Sequence, residues 1–171
     1  GILDNSWLAL AVVPTEEGVD QAWAAIKDAA KPRLQVQLPL STVKMEYELH
    51  KKPAVVIELV KMLVTHARTL CPDVEFIADD ATRAEQPFLE AAVRAAIEAG
   101  AGLITFSDRS GSSLPPEFAT FIRKQFEAVE ELAQVTVGVQ CFSEVNLAES
   151  CALASVESGA SVIKPLSSLE V

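Results

Sequence analysis

Short runs of β-type residues alternate with helix-length stretches from one end of the chain to the other, and this alternation narrows the fold more than any motif does. Runs at Trp7 to Val13, Leu34 to Leu40, Val74 to Ala78, Leu103 to Ser107, Val135 to Cys141 and Ser161 to Leu166 read as strands. Strands separated by helical stretches predict a parallel sheet with crossover helices. The punctuation agrees. Thr15 is placed to cap a first helix whose apolar face is Val19, Trp23, Ile26 and Ala30 and which ends at Pro32. Pro53, Pro87 and Pro115 or Pro116 sit where a first helical turn tolerates proline, and Gly100 and Gly159 fall just past two later helices, where a left-handed residue is wanted.

Six such units fit into 171 residues, close to the spacing of a (β/α)₈ barrel, which takes roughly 250 residues for eight. The expectation is an incomplete TIM-type barrel of six βα units with parallel strands, forming one partial barrel domain over residues 1–171. An open doubly wound sheet is the competing architecture. It usually carries a glycine-rich turn after its first strand, and Val13-Pro14-Thr15 offers none. The strand from Leu34 to Leu40 alternates, with Leu34, Val36, Leu38 and Leu40 on one side and Gln35 and Gln37 on the other. Amides on an inward face suit a barrel with a polar interior, and an edge strand facing water gives the same pattern.

Composition excludes several function classes. The formal charge of −10 is carried with scattered lysines and arginines, so a polyanion would be repelled and nucleic-acid binding is not expected. The apolar runs at Trp7 to Val13 and Val55 to Val64 are broken by charge or end well short of the roughly 20 residues that span a bilayer. No basic, apolar, small-residue start reads as a secretory signal. Cys71, Cys141 and Cys151 contain no C-x-x-C pair and leave an odd count, which supports neither a zinc site nor a disulfide framework. A cytoplasmic location is expected.

Several longer segments then fall into register with one family. Met45-Glu46-Tyr47-Glu48-Leu49 before the helix at Pro53 looks like H-M-E-Y-K-L, and Val74-Glu75-Phe76 with Asp79-Asp80-Ala81-Thr82-Arg83 looks like V-E-F-S-x-E-D-A-x-R. Phe88-Leu89-Glu90 through Ala99-Gly100-Ala101 matches a F-L-x-x-V-x-A-A-I-E-A-G-A helix, and Ser107-Asp108, Gly111 and Pro116-Glu117-Phe118 match P-D-T-x-G-x-x-x-P-E-E-F. Val139 to Glu144 with Asn146-Leu147-Ala148 stands where the pattern has V-H-C-H-N-D-L-G-L-A, and Ala154 to Ala160 matches A-A-V-E-A-G-A. The chain thus resembles the isopropylmalate synthase and homocitrate synthase family, which is HMG-CoA-lyase-like, over nearly its whole length. The resemblance places its six strands as the third to eighth of that family's barrel. The family's first strand, with a metal-binding aspartate and a neighbouring arginine, is then not expected from this polypeptide.

The resemblance also implies a chemistry and a departure from it. The family performs a Claisen-type condensation of an acyl-CoA with a 2-oxo acid, in which a divalent cation polarises the carbonyl and a base removes a proton. Two histidines on the seventh strand and an asparagine after the eighth help hold that metal. Here Gln140 and Phe142 stand in place of the histidines and Ser168 in place of the asparagine. Leu40 and Lys44 replace a threonine and a histidine of the family's pocket, and Asp79 replaces a glutamate one methylene longer. An amide oxygen is a weak ligand and a phenyl ring is none. No cofactor is therefore expected, and a divalent cation only at a rebuilt carboxylate site.

Asp79, Asp80, Asp108 and Glu144 fall at strand C-terminal ends, the face where barrels place their sites. They form either that rebuilt site or, the favoured expectation, local ion pairs such as Asp80 with Arg83 and Asp108 with Arg109. Lys164 is either an inward amine able to form a Schiff base or, by the usual exposure of lysine, a side chain reaching water. His50 and His66 read as solvated or packing residues, and Ser110 to Ser113 with Gly111 as a flexible loop rather than an anion cradle. The expected function is a barrel silent for condensation by itself, acting through binding or assembly. The alternative is a condensing, aldol or lyase-type enzyme with a rebuilt or partner-completed site. Open barrel edges predict a homo-oligomer, or a chain that supplies the first two βα units.

Overall fold

A computed structural model describes residues 6–142 and 147–164. Its strands are β1 (Leu8–Ala11), β2 (Pro32–Pro39), β3 (Val74–Asp79), β4 (Leu103–Asp108), β5 (Thr136–Cys141) and β6 (Val162–Lys164). Between them run α1 (Glu16–Ile26), the single turn α2 (Thr42–Lys44), α3 (Pro53–Leu70), α4 (Gln86–Glu98), α5 (Pro115–Ala128) and α6 (Ala148–Val156). All five strand pairs are parallel and neighbours in space are neighbours in sequence, in the order β1-β2-β3-β4-β5-β6. A doubly wound sheet reverses its strand order part-way across. This sheet never does, so it is a curled portion of a TIM-type barrel, as the alternation predicts.

The core lies between the outer face of the sheet and the helix layer. Leu34, Val36, Leu38 and Leu40 have no exposed surface. They meet the buried stripe Val56, Val60, Leu63, Val64 and Ala67, spaced three and four apart along α3. β3 and β4 are buried at every position, as central barrel strands are. β1 is exposed at all four of its residues, and β1 and β6 each pair on one side only among the described residues.

Most of the punctuation holds. The Thr15 hydroxyl accepts from the Gly18 N–H at 3.0 Å. Pro53, Pro87 and both Pro115 and Pro116 lie in first helical turns, and Gly100 and Gly159 have φ of 108° and 112°. One boundary moves. α1 stops at Ile26 rather than running to Pro32, so Ala30 is exposed and Pro32 opens β2 instead. A proline tolerates that place because the first residue of a strand can do without its own ladder N–H. No helix among the described residues is long and apolar enough to cross a membrane.

Candidate active-site face

The C-terminal ends of β2, β3, β4 and β5 bring most of the sequence-derived candidates to one face. Asp79 ends β3, is almost fully buried, and accepts from the Lys44 ammonium at 2.8 Å and the Ser107 hydroxyl at 3.4 Å. Lys44 is carried there by α2, whose first turn is capped by Ser41. A five-residue π-helical segment, Met45–Leu49, follows and ends at His50 in the left-handed region, φ 52°. Such widened turns recur at functional sites.

Asp80, with no exposed surface and φ of 58°, is held by Ser41, whose hydroxyl donates at 2.5 Å, and by Arg83, whose guanidinium donates at 2.6 to 3.0 Å. Burial by itself pushes the Asp80 carboxyl up. The hydrogen bonds from Arg83 and Ser41, with the charges of Arg83 and Lys44, outweigh it and hold its pKa below the ordinary carboxylate value. The Asp80–Arg83 ion pair is therefore the local loop contact expected from sequence.

Asp108 and Arg109 are not paired in this way. Asp108 ends β4 and accepts from the Thr82 hydroxyl at 2.9 Å, the Ser110 hydroxyl at 2.9 Å and the Ser113 N–H at 3.2 Å. With its oxygens occupied by Thr82 and the loop that follows, the carboxylate leaves Arg109 to lie over the Phe142 ring, 4.6 Å from its centroid. Ser110 and Ser113 of the following loop thus bond back to Asp108. Gln140, two residues before Phe142 on β5, is half-buried in register with Ser107 on one side and Lys164 on the other.

Other candidates end up elsewhere. Leu40 is fully buried in the apolar core with the outward-facing residues of β2. Glu144 and Ser168 lie outside the described residues. His66 sits 2.7 Å from Asp20 on the helix layer, far from the strand ends in sequence and packing. His50, with Thr42, Met45, Glu46, Lys51, Lys52 and Pro53, lines a cavity of about 450 Å³ beside the start of α3. Lys164 does not reach for water: it turns into the barrel and pairs with Glu75, because a fully buried carboxylate there needs a cation. Composition alone could not show this, since the partner lies 89 residues away by the numbering of the pair. Cys141 and Cys151 are buried thiols, and burial pushes Cys141 up to about 12 and Cys151 also upward. Among the described residues no three His, Cys, Asp or Glu side chains gather as a metal-binding group.

The profile of the HMGL-like family matches residues 2–165. The chain belongs to that family. The 2-isopropylmalate synthase of Clostridium kluyveri is 37% identical over 150 residues, covering 88% of this chain and 29% of that protein. The 2-isopropylmalate synthase of Oceanobacillus iheyensis is 34% identical over 163 residues, covering 95% and 32%. This HMGL-like chain therefore spans about a third of the length of the curated relatives it matches. Among solved structures, an HMG-CoA lyase from Pseudomonas aeruginosa superposes with a TM-score of 0.72 at 14% identity, over 92% of this chain and 52% of that one. The carboxyl transferase domain of Rhizobium etli pyruvate carboxylase does so with a TM-score of 0.66 at 14% identity, over 93% and 27%. Those likenesses establish the barrel fold.

Proposed function

We propose that this chain is an isopropylmalate synthase-like barrel segment that does not catalyse the condensation by itself and acts through binding or assembly. The observation that carries this reading is the Arg109–Phe142 contact. A ring with no lone pair stands where the family resemblance calls for a histidine ligand, and a guanidinium, itself repelled by a divalent cation, covers it. Gln140 offers at most one neutral amide oxygen. The Lys44 ammonium sits on the Asp79 carboxylate at 2.8 Å. These residues do not fit the divalent cation that the family implies.

Assembly is the second half of the proposal. Trp7, Leu8, Leu10 and Val13 around β1, and Leu153, Val156 and Ile163 around β6, are exposed apolar side chains near the two sheet edges that are unpaired among the described residues. An unpaired strand edge flanked by apolar surface favours association. A second copy of the chain, or a polypeptide contributing two βα units, would cover both.

The test is a condensation assay of the 171-residue chain with acetyl-CoA, a panel of 2-oxo acids and Mn²⁺ or Mg²⁺, following release of the CoA thiol. No release above the protein-free background is expected. Release that depends on the 2-oxo acid would overturn the proposal and favour a site rebuilt on Asp79 and Asp108, with Lys44 as its acid or base.

A further inference from the structure

Glu75 has no exposed surface and faces the inside of the curl. Side chains from three other strands converge on its carboxylate. Gln35 of β2 donates to Oε2 at 2.8 Å, Thr105 of β4 donates to Oε1 at 2.5 Å, and the ammonium of Lys164 on β6 pairs with Oε1. Burying a carboxylate is costly unless it is paired and hydrogen-bonded, and here both conditions are met.

The cation comes from an unexpected distance. Lys164 is in register with Gln140, Gln140 with Ser107, and the preceding residue Phe106 with Ala78, so Lys164 stands level with Asp79, four residues beyond Glu75. In a flat sheet three strand spacings across and four residues along would separate the two Cα atoms by roughly 20 Å. A lysine and a glutamate side chain together do not bridge that. The contact exists only because the sheet is curled, and β5 leaves the way open. Its residue midway between the two levels is Gly138, in register with Thr105 and Val162, where an added Cβ would stand 2.7 Å from the Thr105 hydroxyl.

Among the described residues little else fastens β6. It is three residues long, pairs on one side among the described residues, and its outward Ile163 is exposed. We propose that the Glu75–Lys164 pair is an interior staple, which keeps β6 on the sheet and holds the sheet at barrel curvature. The edges are thereby held ready for whatever covers them. The staple stands apart from the chemistry of the mouth, so it survives if the silent-barrel reading fails.

Hydrogen–deuterium exchange and thermal melting of Lys164→Met and of Lys164→Met with Glu75→Gln test it. Lys164→Met leaves a buried carboxylate without its cation, so its melting temperature falls. The double variant removes that penalty, and its melting temperature recovers towards the parent's. In the double variant the tether is still absent, so amides of residues 160–164 exchange about tenfold faster or more than in the parent, while those of β2 to β4 are unchanged. If Lys164→Met does not fold, the double variant alone carries the test. Parent-like exchange of residues 160–164 in the double variant, or equal loosening of every strand, would overturn the staple.

Discussion

Asp80 links two of the loops at the barrel mouth. It is buried, left-handed, and ties the β2 loop to the β3 loop through Ser41 and Arg83. Asn tolerates the left-handed region, so Asp80→Asn isolates the charge from the backbone. It is expected to destabilise the chain by about 1 to 3 kcal/mol, towards the lower end because Arg83 is half exposed, measured by urea unfolding. Because the folded carboxyl titrates below its unfolded value, its stabilisation is complete above the ordinary carboxylate pKa. It is lost as pH falls through the lowered folded value. The parent should therefore lose more stability than Asp80→Asn on acidification, in melts taken across that range. Cys141, pushed up to about 12, is expected to react with a disulfide reagent at pH 8 only after denaturation; rapid modification of the native protein at Cys141, mapped by mass spectrometry, would contradict the burial. At this scale the sequence was readable where contacts are local, as for Asp80 and Arg83. It was not readable for Lys164 or Arg109, whose partners are set by how distant strands meet.

Gly138 marks the point where element packing is least forgiving. A Cβ there collides with the Thr105 hydroxyl and meets Val162 of β6 at 3.5 Å. Thr105 cannot withdraw without giving up its hydrogen bond to Glu75. Gly138→Ala is expected to cost about 1 to 3 kcal/mol, read from chemical unfolding, despite the better intrinsic strand propensity of alanine. Strands β2 to β5 and helices α3 to α5 were legible because hydrophobic period, proline and glycine all point the same way. The end of α1 was not, because the apolar spacing that places Ala30 on its face runs on past the residue where the helix stops. The π-helical turn at Met45–Leu49 had no signal in the periodicity, since one extra residue shifts the face without changing composition.

For the molecule as a whole, two features pull against each other: a formal charge of −10, which disperses copies, and the apolar edges, here proposed as assembly surfaces. Replacing Leu8 and Leu10, 38% and 36% exposed, by lysine puts charge on the β1 edge. If the edges are assembly surfaces, sedimentation velocity should show concentration-dependent association of the parent that this variant lacks. The partial barrel itself was legible from the six alternating units, whereas the proposed silent state of the mouth rests on the family resemblance at Gln140 and Phe142. Titrating the metal-stripped chain with Mn²⁺ while following the electron paramagnetic resonance signal of the free ion addresses that state. With Gln140 and Phe142 at the mouth and Arg109 over the ring, the signal should match protein-free buffer at every ratio, with or without 2-oxo acids. Stoichiometric quenching at micromolar Mn²⁺ would contradict the account and assign the carboxylates at the strand ends to a working metal site.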